Sequence, residues 1–214
     1  MNSRQRAVAI LAKKVARVLC GEKGSAAVLG ISDGDETESW ARKYFGDYYT
    51  NVHFHKSPTL DLTDVADVYR AASDLVICSE VLEHVEPPVS RAFNGLSQVL
   101  KTGGFLVVSA PYRPAGYEHV EHFEELVDGQ LIRYEGQLLW TGTNHRGEVI
   151  SYNDLKFHGG EGMTLEFRVF SDDSLERHLN HADFEVLEKA RANPLLGISW
   201  EPWGSRVWLA RKTK

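Results

Sequence analysis

Short, wholly apolar runs alternate along the chain with longer segments whose apolar residues recur every three or four positions. Residues 4–19 place Val8, Leu11, Val15, Val18 and Leu19 on one face, with Arg and Lys opposite. That spacing predicts a surface helix docked on a core and ended by Gly21 and Gly24. Ala26 to Ile31 is a short apolar run and predicts a buried strand, followed by the polar turn Ser32-Asp33-Gly34-Asp35-Glu36. Thr37 to Phe45 reads as a helix, Tyr48 to Phe54 as a second strand, Leu60 to Leu62 as a brief extended piece, and Asp64 to Ala72 as a short helix or loop. Asp74 to Ser79 is continuously apolar after its first residue, as strands covered on both faces are. Val89 to Leu100 has helical periodicity, and Gly103-Gly104 turns the chain into a further buried strand, Phe105 to Ala110.

Beyond Pro111 the pattern changes. Residues 113–170 are rich in His, Gly, Glu and aromatics, and Leu131–Trp140 with Glu148–Tyr152 predict a hairpin turning at Asn144–Gly147. The alternation then resumes: a helix over Asp172–His181 with Ser171 as N-cap, and strands over Phe184–Ala190 and Arg206–Ala210, an antiparallel pair at one sheet edge. Strands alternating with helices imply a doubly wound, mostly parallel sheet with right-handed crossovers. Such sheets bind ligands beyond the C-terminal ends of their strands. The residues that matter are then Gly30–Asp35, His55–Asp61, Ser79–His84 and Pro111 onward.

The 214 residues carry 43% hydrophobic and 25% charged side chains, which fits one domain with an insertion and excludes collagenous, disordered or disulfide-built chains. A net charge of −6 argues against a general nucleic-acid binder. Cys20 and Cys78 match no metal or redox spacing, and Cys78 reads as a buried thiol. A cytoplasmic protein without a membrane span is expected; Lys13, Lys14 and Arg17 interrupt the apolar start where a secretory signal would need continuity.

Two blocks at the strand ends are more specific. Asp74-Leu-Val-Ile-Cys-Ser-Glu-Val-Leu-Glu-His-Val85 is followed by Leu-Ser-Gln-Val-Leu-Lys-Thr-Gly-Gly-Phe-Leu-Val-Val-Ser-Ala-Pro111. Together they resemble the fourth strand, its following loop, and the helix, Gly-Gly turn and fifth strand of class I S-adenosylmethionine-dependent methyltransferases. The resemblance covers residues 26–112 well and 171–212 more loosely. It implies a Rossmann-like seven-stranded sheet with an antiparallel edge, and an inserted, partly β cap at about residues 113–170 on the acceptor side. It also implies S-adenosyl-L-methionine as the cofactor.

That family has an acidic residue and then Gly-x-Gly-x-Gly after its first strand. Here the run is Gly30-Ile31-Ser32-Asp33-Gly34, with Val28 at the acidic position and Ser32 in the middle. A negative φ at Ser32 would suit the turn; a shifted alignment places Gly34 on an earlier family glycine. The acidic ribose ligand after the second strand is replaced by His55-Lys56. Asp61 matches the family's acceptor of the adenine amino group, with Leu62 beside it, or else caps a turn. Ser79 and Glu80 border the methionine moiety, or Glu80 and Glu83 decorate the next helix. His84, one turn beyond Glu80, is either a general base for an acceptor hydroxyl or a structural histidine.

Candidate bases also come from the insertion: His119, His122 and His158. His119-Val-Glu-His122 has no clear third ligand, so no metal is expected; the pair, on a loop or helix, is more readily the lining of an acceptor pocket. Phe157 to Gly162 reads as a loop with special backbone angles. His178 and His181 read as solvated, and Trp200, Trp203 and Trp208 as core. Gly30-Ile-Ser-Asp-Gly34 also fits a hydrolase nucleophile elbow, but only one strand precedes it, and a nicotinamide fingerprint is missing. The leading expectation is methyl transfer to a small polar acceptor, a sugar or sugar-containing metabolite hydroxyl. The sugar follows from a faint resemblance of Phe157–Ser171 to methyltransferases associated with polysaccharide synthesis. The rivals are a non-catalytic binding protein of the same fold and, less in keeping with the charge, an RNA or protein methyltransferase.

Overall fold

The computed structural model describes residues 1–23, 25–113, 117–160, 162–200 and 204–214, with the backbone alone at Cys20, Glu22 and Lys23. Helix α1 (Ser3–Lys23) leads into β1 (Val28–Ile31), α2 (Asp35–Phe45), β2 (Tyr49–Val52), β3 (Ser73–Ser79), α3 (Ser90–Val99) and the long β4 (Leu100–Arg113). The insertion holds β5 (Val120–Glu121), β6 (Gln130–Tyr134), β7 (Gln137–Thr143), β8 (Val149–Tyr152), β9 (Phe157–His158), β10 (Thr164–Leu165) and β11 (Arg168–Ser171). Helix α4 (Asp172–His181), β12 (Phe184–Lys189) and β13 (Ser205–Lys212) complete the chain.

The central sheet runs β12-β13-β4-β3-β1-β2, with β11 pairing β4 and β5 off that path. Pairs β2–β1, β1–β3, β3–β4 and β4–β11 are parallel; β4–β13 and β13–β12 are antiparallel, the expected edge. The six strands of this path and the two off it make a mostly parallel, Rossmann-like sheet with the expected antiparallel edge. Just before the extended piece at residues 60–62, Thr59 forms a parallel bridge with His53, and the Leu60 N–H donates to the His53 carbonyl.

Alternation along each strand sends side chains to opposite faces. Leu75 and Ile77 face α1 together with Val107 and Val207, whereas Val76 and Cys78 face α3 and α4 with Val108 and Trp208. The continuous apolar reading of β3 is thus two half-patterns, each covered by helices. Val18 is not on the buried face of α1 as its spacing suggested: it is 48% exposed, and Ala7, Ala12 and Ala16 let the helix lie close to the sheet instead.

Other local outcomes follow from turn chemistry. Ser171 caps α4 by accepting from the Ser174 N–H. Gly103, at φ +79°, lies inside β4 near an irregularity in its pairing with β3, not at a helix end. The segment 131–140 is not one strand. Glu135 and Gly136 both take positive φ and fold it back, so the expected hairpin is a three-stranded meander, β6-β7-β8. The special angles expected over 157–162 occur at Gly159, Gly160 and Gly162; Glu161, Gly24 and Trp203 lie outside the described residues. The insertion has its own small apolar cluster of Phe123, Leu126, Trp140, Leu165 and Phe167. Among the described residues, no helix is long and apolar enough to cross a membrane.

Candidate functional site

Register brings three turns together at one edge of the sheet. Ile31 lies between Val52 and Cys78, so the residues that follow β1, β2 and β3 emerge side by side. The turn after β1 is pinned: the Ser32 N–H donates to the Val52 carbonyl, and Asn51 exchanges hydrogen bonds with the Asp33 backbone N–H and carbonyl. Ser32 takes φ +53°, not the negative value that would suit a serine, so it occupies a glycine-like conformation. Ser32 and Gly34 are exposed, and a Cβ placed on Gly34 would meet open space. Asp33 folds back over Gly30 instead. Its Oδ2 accepts from the Tyr49 hydroxyl at 2.7 Å, and Oδ1 is buried without a partner. A Cβ on Gly30 would sit 2.2 Å from Asp33 Oδ2, which is why that position is glycine. Burial raises the Asp33 carboxyl to about 7, against the opposing pull of the Tyr49 hydrogen bond.

The remaining strand-end residues divide. His53, half-buried, is the first residue after β2, while His55 is exposed and packs edge-on against Phe54 at 4.5 Å. Asp61 Oδ1 caps a turn, accepting from the Thr63 N–H and hydroxyl, and Oδ2 has no partner among the described residues. Leu62 is buried, its carbonyl closely approached by Gly95 of α3. Ser79 shares a hydrogen bond with Ser109. Glu80, at φ +58°, is engaged at both oxygens: Ser109 donates to Oε1, and Ser205 and Arg4 of α1 to Oε2. None of these partners of Glu80 was legible from its own segment, since they come from three distant parts of the chain.

One turn further on, the insertion meets the segment after β3. His84 Nδ1 donates to the Leu165 carbonyl at 2.8 Å, the only role a carbonyl partner allows. Its ring lies edge-on to His158, 4.7 Å between centroids. Glu166 joins the cluster by accepting from His122 Nε2 through Oε1 and from His158 Nε2 through Oε2. Burial alone would raise Glu166, but its two histidine partners outweigh that and hold it below the usual carboxylate range. Burial lowers His84. Glu83 has no exposed surface and neither carboxylate oxygen has a hydrogen-bond partner; burial pushes it up to about 8 against the charges of Arg4 and Arg168.

His119 belongs to a second network. Its two ring nitrogens are engaged by Glu121 and Ser174, and Glu121 also accepts from the fully buried Arg168 at 2.7 Å. Arg168 Nη1 donates to the Leu82 and Val85 carbonyls, tying β11 to the segment after β3. His119 and His122 flank the short strand β5, not a loop or helix. His178 is not solvated as its helix suggested: it stacks on Phe93 at 4.9 Å, and burial lowers its pKa. A cavity of about 800 Å³ opens between α1 and β12–β13, lined by Leu11, Tyr112, Asp172, Lys189 and Trp208 among others. It takes nothing from residues 30–34, 53–62 or 79–84 and is separate from the strand-end crevice, the position where open parallel sheets hold their ligands.

This strand order, with its reversed final pair, defines a class I methyltransferase fold. Residues 9–108, a little under half of the chain, match the family model described as a methyltransferase domain, and this match supports a class I S-adenosylmethionine-dependent methyltransferase. No curated protein matches it in sequence. Solved structures agree on the fold. An S-adenosylmethionine-dependent methyltransferase from Clostridium acetobutylicum is 12% identical with a TM-score of 0.57, over 100% of this chain and 93% of that one. One from Mesorhizobium loti is 14% identical with a TM-score of 0.54, over 92% and 96%. A sugar N-methyltransferase from Streptoalloteichus is 15% identical with a TM-score of 0.52, over 95% and 87%.

Proposed function

We propose that the chain methylates a hydroxyl of a small polar acceptor, a sugar or sugar-containing metabolite, beneath a cap formed by residues 113–170. The observation that carries this reading is the meeting of His84 with His122 and His158, brought together through Glu166 and a direct ring contact. Three imidazoles next to the loop after β3 stand where the acceptor side of the crevice is expected. A base is needed only when the acceptor loses a proton near the transition state, as a hydroxyl does.

The exposed turn Ser32–Gly34, with open space beside Gly34, and the free Oδ2 of Asp61 suit a cofactor with a polar chain and an exocyclic amine. Gly30, Ser32, Asp33, Gly34, His55, Asp61, Leu62, Ser79 and Glu80 would border it, with Asp33 and Glu80 shaping the walls through their internal partners. When bound, S-adenosylmethionine supplies a methyl group on an excellent leaving group. The chain's own work is then to exclude water, hold the acceptor oxygen in line, and take its proton. His119, partnered at both nitrogens, orients Glu121; His122 retains a free Nδ1 among the described residues and is the preferred base.

The test is transfer of a tritiated methyl group to a panel of sugars, nucleotide sugars, peptides and RNA. Label in a sugar-containing acceptor supports the reading, and His122→Ala should then lower turnover about 10²–10⁴-fold with cofactor affinity intact. Transfer confined to RNA or peptide refutes the acceptor class, and near-normal turnover in His84→Ala, His122→Ala and His158→Ala refutes the histidine base.

A further inference from the structure

We propose that Glu83, His84 and His158 form a binding site for one divalent first-row transition-metal ion, of the zinc or manganese class. This goes beyond the methyl-transfer reading, because the ion's binding does not depend on which acceptor is used. One ligand atom from each of the three residues lies within 4.8 Å of the others. Around zinc, ligands at about 2.0–2.1 Å in a tetrahedron stand about 3.4 Å apart, so the side chains need to close only modestly. His84 Nε2 and Glu83 Oε1 are already 3.7 Å apart.

The surroundings match what a metal site requires. Histidine ligands commonly donate their other ring N–H to a carbonyl or carboxylate, which fixes the tautomer and the ring. His84 does this at Nδ1 toward Leu165, which leaves Nε2 turned to Glu83. Glu166 grips the His158 ring at Nε2. Glu83 has no exposed surface and both its oxygens lack hydrogen-bond partners. An unpartnered buried carboxylate is costly, and a cation is the partner that would relieve it. Two guanidinium groups, Arg4 and Arg168, lie near enough to act on Glu83, but they pair with Glu80 and Glu121 and neither donates a hydrogen bond to the Glu83 oxygens. Two imidazoles and one carboxylate favour borderline ions over calcium or magnesium, which take mainly oxygen ligands. Three protein ligands leave a coordination position open, and the His158 side chain, 42% exposed, leaves a route in. His122 stays outside the ligand set, free to act on a proton.

The full chain, stripped with a chelator and desalted, should take up one equivalent of Zn²⁺ in competition with a chromogenic chelator. Co²⁺ should give the visible absorption of a low-coordinate site. Glu83→Gln and His158→Ala should each weaken binding by about tenfold or more, and Glu166→Gln by about 10–100-fold, as loss of a supporting residue does. His181→Ala, on an exposed helix position, should leave binding unchanged. Circular dichroism of each metal-free variant checks folding; if Glu83→Gln does not fold, the half-exposed His158→Ala carries the test. Absence of stoichiometric binding, binding that survives both Glu83→Gln and His158→Ala, or binding lost in His181→Ala would overturn the site.

Discussion

Replacing Asp33 with Asn isolates the electrostatics of the turn after β1. The Asp33 carboxyl is buried, accepts one hydrogen bond from Tyr49, and has a second oxygen with no partner. Its pKa rises from 3.8 to about 7. Because the folded value is the higher one, the fold favours the protonated acid. The stabilisation is fully present below the unfolded pKa and is lost as pH rises through about 7. The separation corresponds to about 4 kcal/mol at full ionisation. An asparagine cannot ionise, yet its Oδ1 can still accept from Tyr49. Urea unfolding of wild type and Asp33→Asn, at intervals from about pH 4 to pH 8, should therefore give curves that diverge. The variant should gain about 4 kcal/mol on the wild type across that window. The raised Glu83 cancels from the difference, since both proteins carry it. A difference independent of pH would refute the buried, half-satisfied Asp33 and the packing of the turn with it.

Three further outcomes follow. Arg168→Met removes the cation that holds Glu121 and the Leu82 and Val85 carbonyls, so it should cost about 3–5 kcal/mol in chemical denaturation; a loss under about 1 would show that this buried pair does not tie the insertion down. Ser32→Gly relieves a left-handed serine and should raise stability by about 0.5–1 kcal/mol, whereas a clear loss would count against the positive φ. Asp61→Ala should weaken S-adenosylhomocysteine binding by about 1–3 kcal/mol in calorimetry, and unchanged affinity in a folded variant would remove Asp61 from the site.

Most of the sheet was legible because buried strands and amphipathic helices leave periodic marks. The apolar run of β3 and the Ser171 cap led directly to their elements. The Glu135-Gly136 turn was missed because glutamate rarely takes positive φ, and nothing in its neighbours announces it. The polar networks were less visible still. Glu166 and Arg168 alternate with Leu165, Phe167 and Val169, a pattern that ordinarily puts the charged residues in water. Here both are buried, because the segment lies between the sheet and the insertion and each charge finds its partner from elsewhere in the chain. The histidines could be listed from the sequence, but their division could not. The local contacts His119–Glu121 and His158–Glu166 acquire their meaning only from long-range ones: His84 with Leu165, His122 with Glu166, and Arg168 with Glu121, which are 81, 44 and 47 positions apart.

We propose that the crevice at the ends of β1, β2 and β3 holds the methyl donor. Isothermal titration of the purified chain with S-adenosylhomocysteine tests it most directly. One-to-one, saturable binding that is weakened in Asp61→Ala and unaltered by a change at the exposed Leu195 is the predicted result. A folded chain that takes up no S-adenosylhomocysteine would contradict it.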